Sequence, residues 1–193
     1  MKTVKELMDL KGRVAVITGG AGHIGSEMAE ALAELGAAIV LIDIARDGGA
    51  AVAKRLSARY GVEALSHVVD LRDAQGISAV PVFVQEHFGR LDILINCAAM
   101  DGSSLKGWMS PFQEQSLNAW REALEVNLTA PFLLTQACAE LLAASGQGSV
   151  INVSSIYGMV GPDWRLYADT PMGNPAAYSA SKGGLLQLTR WLA

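Results

Sequence analysis

The sequence predicts an α/β fold in which a doubly wound parallel sheet carries helices on both faces. Three observations predict it: short apolar runs rich in Val, Ile and Leu, helical segments alternating with them, and a glycine-rich turn between the first run and the first helix. The runs are RVAVIT (13–18), AAIVLID (37–43), EALSHVV (63–69), LDILIN (91–96) and SVINVSS (149–155). Most lack strict alternation, the pattern of strands covered on both faces. Helical segments lie between them at 24–35, 45–60, 73–88 and 117–144. Long irregular stretches at 98–116 and 157–175 follow the fourth and fifth runs. That puts them beyond the carboxyl ends of the strands, where open α/β sheets bind ligands.

The 193 residues suit one domain with a substantial core, and 51% apolar against 18% charged residues describes a globular chain. A net charge of -4 argues against a nucleic-acid partner. Cys97 and Cys138 are too few for a disulfide scaffold and lack metal-ligand spacing, so no metal is expected and both read as packing groups. MKTVKELMDLKG has no signal-peptide core and no apolar run approaches membrane-spanning length, so the expected location is cytoplasmic, with no membrane partner.

TGGAGHIG, from Thr18 to Gly25, follows the first run and opens a helix. Gly19 permits a tight turn, Gly22 removes a side chain that would obstruct a diphosphate, and Gly25 lets the helix pack close to the sheet. With Thr18, His23 and Ile24 they make a phosphate turn whose charge partner is the helix N-terminus. Such a turn alone can be an ordinary one; its place between strand and helix favours the nucleotide. Asp43 ends the second run 18 residues past Gly25, where a carboxylate can bond the adenosine ribose hydroxyls and repel a 2′-phosphate. NAD is therefore favoured over NADP. The alternative for Asp43 is the N-cap of the next helix, and Arg46 could serve a 2′-phosphate. Asp70, followed by Leu71, could bond an adenine amino group or cap the helix that follows.

NPAAYSASKGG (174–184) sets Tyr178 and Lys182 at i and i+4, on one face of a helix. A cation there favours the phenolate and makes Tyr178 a candidate proton-transfer group. Taken alone, the pair also fits an exposed aromatic and lysine on a helix surface.

TGGAGHIG, NCAA, VNL, NVSS and YSASK occur in an order that resembles the short-chain dehydrogenase/reductase family over essentially the whole chain. The resemblance implies a Rossmann-like fold and an NAD(H)-dependent interconversion of alcohol and ketone or aldehyde. It places Asn96 beside the cofactor, where NCAA replaces the family's usual Asn-Asn-Ala-Gly. It aligns Ser155 with the catalytic serine, leaving Ser154 structural, and Tyr178 with the general acid/base. Lys182 then lowers the tyrosine's pKa and contacts the nicotinamide ribose. Asn127 matches the fourth catalytic position, and Pro131 gives a reason for it. Proline cannot donate to the Asn127 carbonyl, which could hold a water in a proton path toward Lys182; the alternative is a kink in a buried helix. The resemblance also implies a homodimer or homotetramer built on the helices of Asn127 and Tyr178.

Two features depart from the family. The segment between Ser155 and Tyr178 is long, and its Trp164, Arg165, Tyr167 and Asp169 suit a small polar substrate, anionic or hydroxyl-rich. It resembles a subset associated with bacterial surface-sugar and flagellin-glycan synthesis; the alternative is an oligomer contact. The chain also stops at LTRWLA, whereas family members continue through further strands, so the expectation is one truncated domain lacking the last strands. A non-catalytic dinucleotide-binding module remains the rival reading.

Overall fold

A computed structural model of the protein describes residues 3–100, 105–170 and 173–193. Residues 101–104 and 171–172, parts of the two long irregular stretches, lie outside the described residues. A short helix α1 (Val4–Leu7) precedes the sheet, capped by Thr3, whose side chain accepts from the Glu6 N–H while Glu6 reaches back to the Thr3 N–H. There follow β1 (Val14–Thr18), α2 (His23–Glu34), β2 (Ala38–Asp43), α3 (Arg46–Tyr60), β3 (Ala64–Val68), α4 (Ala74–Phe88) and β4 (Ile93–Asn96). Then come α5 (Leu117–Leu124), a π-turn (Glu125–Thr129), α6 (Ala130–Ala144), β5 (Ser149–Asn152) and α7 (Ala176–Leu192). The fold is the Rossmann-like α/β arrangement that the sequence predicts, a parallel five-stranded sheet flanked by helices, in the order β3-β2-β1-β4-β5.

Burial explains which runs became strands. Every residue of β1 and β4 is buried, and β2 is buried through its middle. Val16 lies opposite Val40 on one side and Leu94 on the other, so the sheet centre is a band of branched side chains. Each such side chain, fully buried, contributes roughly 1.5–3 kcal/mol. The edge strands β3 and β5 are only half-buried and are shorter than the runs that announced them.

The chain divides into two compact units. The first comprises Met1–Ala98 with Leu133–Ile151, and the second Ala99–Phe132 with Asn152–Ala193. The first unit contains the sheet to the penultimate residue of β5, together with α2, α3 and α4. The second contains α5, the π-turn and α7, with α5 packed on α7.

The helix predicted over 117–144 is continuous but not uniform. Ser116 caps it by accepting from the Ala119 N–H, and it widens into the π-turn before Pro131. Proline withholds the N–H that an α-turn would aim at the Asn127 carbonyl, while the Ala130 N–H that closes the π-turn donates to the Glu125 carbonyl. By length and composition this 28-residue run is long and apolar enough to cross a membrane, contrary to the expectation that no run approaches that length. It carries Arg121, Glu122 and Glu125 near its start and a wholly buried Asn127, the marks of a helix packed inside protein.

Candidate functional site

In the first unit the glycine-rich turn closes on itself. Gly19 has φ 67°, and a Cβ at Gly25 would lie 2.2 Å from the Gly19 carbonyl oxygen. Gly25 therefore lets the helix meet its own turn, and not the sheet as the sequence suggested. Gly22 is the N-cap of α2 and offers no side-chain cap, so the N–H groups of His23, Ile24 and Gly25 stand at an uncapped helix N-terminus. His23 and Ile24 are exposed there. Replacing Gly25 by alanine should cost about 1–3 kcal/mol of stability and displace that turn. We expect a lower melting temperature and NADH affinity reduced at least about tenfold, one decade being about 1.4 kcal/mol; unchanged NADH titration would remove the turn from the binding site.

Thr18 departs from its expected role. Its hydroxyl is buried, accepts from the N–H groups of Cys97 and Ala98 at 3.0 and 3.1 Å, and donates to the Ile95 carbonyl at 3.5 Å. It fastens the end of β1 to the end of β4 and so holds the base of the glycine-rich turn. Asn96 is buried at the end of β4 and donates to Thr135 at 3.3 Å. Asp43 accepts from the Ala21 N–H within the glycine-rich turn and from the Ala45 N–H, each at 2.9 Å. Ala45, not Asp43, is the N-cap of α3. The carboxylate is thus fixed beside the turn, with acceptor capacity remaining on both oxygens. Asp70 does not cap α4 either, since Asp73 does so through the Gln75 N–H. Asp70 is held by the Arg72 guanidinium, 2.6 Å away, and the side-chain bond to Arg72 draws its carboxyl below the usual range. Leu71 is half-buried in the same turn. Cys138 is fully buried, and burial pushes its thiol up to about 12, which keeps it a protonated packing group.

The second unit brings the proton-transfer candidates together. Lys182 is 2% exposed; its ammonium donates to the Val153 carbonyl at 2.7 Å and lies 5.9 Å from the centre of the Tyr178 ring. The ring packs on a cluster of Trp108, Ala119, Ala123 and Ala177, and its hydroxyl has no hydrogen bond among the described residues. Ser154 donates to the Lys182 carbonyl at 2.9 Å. Ser155 accepts from the Tyr157 N–H at 3.2 Å and caps the turn Ile156–Gly158. Asn127 is wholly buried: its side-chain oxygen accepts from the Met100 N–H at 2.7 Å and its amide donates to Ser181 at 3.1 Å. Ser181 in turn donates to the Tyr178 carbonyl at 2.8 Å. Asn127 thereby ties the π-turn to the backbone of the helix carrying Tyr178 and Lys182, a link through Ser181 that sequence reasoning missed.

The long segment is less simple than its residue types suggested. Arg165 has its side chain 91% exposed and bound to Asp163 at 2.6 Å, so its charge is already paired. Trp164 stands out from the surface, its ring tilted against Tyr167 at 5.9 Å. Tyr167 shares a hydrogen bond with Tyr157 at 2.5 Å, and Asp169 is exposed in the left-handed region at φ 61°.

The chain is similar to known proteins in sequence and in fold. D-threitol dehydrogenase of Mycolicibacterium smegmatis is 33% identical over 184 residues, covering 95% of this chain and 64% of that protein. Cis-4-hydroxycyclohexanecarboxylate dehydrogenase of Sinomonas cyclohexanicum is 36% identical over 178 residues, covering 92% and 65%. The chain thus spans slightly under two thirds of the length of these relatives. Among solved structures, an NAD+-bound xylitol dehydrogenase superimposes with TM-score 0.83 at 30% identity, covering 95% of this chain and 65% of that one. A metagenomic short-chain oxidoreductase in complex with NADP gives 0.80 at 36% identity, covering 95% and 76%. With residues 13–193 matching the short chain dehydrogenase family, the uncapped helix behind Gly19 and the Tyr178–Lys182 pair have their context: this chain belongs to that family.

Proposed function

We propose that the chain serves an NAD(H)-dependent oxidoreductase that interconverts an alcohol and a ketone or aldehyde on a small hydroxyl-rich substrate. The observation that carries this reading is the buried Lys182 ammonium, anchored on the Val153 carbonyl and facing the Tyr178 ring. A lysine desolvated this far is expensive unless its charge has a use. The uncapped N-terminus of α2 and the fixed Asp43 suit a dinucleotide: the helix end would take the diphosphate and Asp43 the ribose hydroxyls. Bound there, the nicotinamide ring supplies the hydride chemistry that no side chain can.

The chain's own residues manage the proton. In the oxidising direction Tyr178 takes the alcohol proton, and in reduction it returns it. Lys182 keeps positive charge beside the ring as that proton leaves. Ser155 donates a hydrogen bond to the substrate oxygen, where charge develops. Asn127 acts from behind, holding the backbone of Tyr178 through Ser181. With Pro131 withholding its N–H, the Asn127 carbonyl would accept from a water that relays protons toward Lys182.

Asp163 neutralises Arg165, which favours uncharged hydroxyl-rich substrates over anions. D-threitol and xylitol in the names of similar proteins, and galactose in a third from Rhizobium meliloti, fit the same chemical class. A place among enzymes of bacterial surface-sugar synthesis is one form of this reading. We further propose a cytoplasmic enzyme, assembled as a homodimer or homotetramer. Similar structures hold NAD in one case and NADP in another, so the preference for NAD rests on Asp43. Titration by cofactor fluorescence should give NADH at least about tenfold tighter than NADPH, about 1.4 kcal/mol of discrimination. Equal affinities would remove Asp43 from the ribose, and oxidation of threitol, xylitol or galactose with NAD would test the substrate class.

A further inference from the structure

Within residues 164–170 every side chain is exposed except Tyr167. Its hydroxyl lies 2.5 Å from that of Tyr157, which stands in the turn capped by Ser155. The shared phenol bond therefore ties the 164–170 segment to the turn that Ser155 caps. Trp164 leans on the Tyr167 ring, and Thr170 donates its hydroxyl to the Tyr167 carbonyl at 2.9 Å. The exposed segment thus depends on one anchored side chain.

We propose that Tyr157 and Tyr167 are positioning residues whose shared hydrogen bond holds the 164–170 segment, and Trp164 with it, in place to bind the hydroxyl-rich substrate. This use of the segment rests on the alcohol oxidoreductase reading. The two residues fix where a flat apolar ring is offered to the C–H face of a polyol or sugar. Loss of one hydroxyl frees the segment while the aromatic packing stays.

Two measurements test it. In hydrogen exchange, the amides of 164–170 should exchange about tenfold faster in Tyr167→Phe and in Tyr157→Phe, the worth of one hydrogen bond. The double variant should exchange no faster than either single one, because both remove the same bond. Thermal melts confirm that each variant is folded. In steady-state kinetics with threitol or xylitol, KM should rise about tenfold and kcat change less than about twofold, with NADH affinity intact. Unchanged exchange in the folded Phe variants, or a fall in kcat at constant KM, would overturn the positioning role. A wild-type chain that turns over no polyol but shows the exchange effect would overturn the oxidoreductase reading and leave the anchor itself demonstrated.

Discussion

With Tyr178 as the proposed general acid/base, its replacement by phenylalanine should lower turnover by about 10²–10⁴-fold and leave NADH affinity within about twofold. The structure says why the two effects separate. The Tyr178 ring packs on Trp108, Ala119, Ala123 and Ala177, and phenylalanine fills the same space. Its hydroxyl has no protein partner among the described residues, so removing it strands no buried donor. Lys182 keeps its bond to the Val153 carbonyl, so its ammonium is not released. The variant should melt within a degree or two of the parent, since surface-type changes of this size stay near ±0.5 kcal/mol. A folded variant that keeps more than about a tenth of its turnover, a deficit under about 1.4 kcal/mol, would assign the proton to another group. A dinucleotide-binding module without catalysis gives a third pattern: cofactor binding in both proteins and turnover in neither.

How far the sequence reached depends on where the decisive contacts lie. Strands β1, β2 and β4 were legible because a strand buried on both faces needs an apolar run and nothing else. The run 149–155 promised a longer strand than β5, which stops at Asn152; Val153 then turns its carbonyl to the Lys182 ammonium, a tertiary contact that no periodicity records. Helix α1 was missed although Thr3 and Glu6 carry the spacing of a capping box, a signal overlooked because the segment has no apolar face. The i and i+4 spacing put Tyr178 and Lys182 side by side, but the burial of Lys182 was not readable from it, since the same spacing fits an exposed pair. Thr18 was not readable either, since a hydroxyl at a strand end can serve either a ligand or the neighbouring strand, and here β4 claims it. Arg165 was misjudged for a related reason: Asp163, two positions earlier, neutralises it once the chain turns. Tyr157 and Tyr167 lie ten residues apart with no regular element between their faces, so their shared bond is a product of the folded loop only.

Asp92 carries the largest stability effect outside the site. It stands just before β4, 1% exposed, accepting from the Val14 N–H at 2.9 Å and from the Arg90 guanidinium at 2.6 Å. Its backbone carbonyl accepts from the Ser149 N–H and its own N–H donates to Val14, so the residue joins the starts of β1, β4 and β5. Burial alone would push the carboxyl up; the bonds from Arg90 and Val14, with the charges of Arg90 and Arg13, outweigh it and leave the carboxyl below its usual range. A group depressed in this way stabilises the fold above its unfolded pKa of about 3.9 and loses that contribution as pH falls through the lower folded value. Asp92→Ala should cost about 3 kcal/mol at pH 7, the low end for breaking a buried pair, because Arg90 is half-exposed and can turn to water. For a chain of this length that lowers the melting temperature by about 6–12 °C. Urea unfolding at pH 7 and near pH 3 provides the check: the gap between parent and variant should narrow in acid, because only the parent has a carboxylate to protonate. A gap that stays constant would mean that the loss is one of packing and that the charge of Asp92 contributes nothing. NADH affinity of the folded variant at pH 7 should be unchanged, since Asp92 lies at the start of β4 and Asn96 closes its other end.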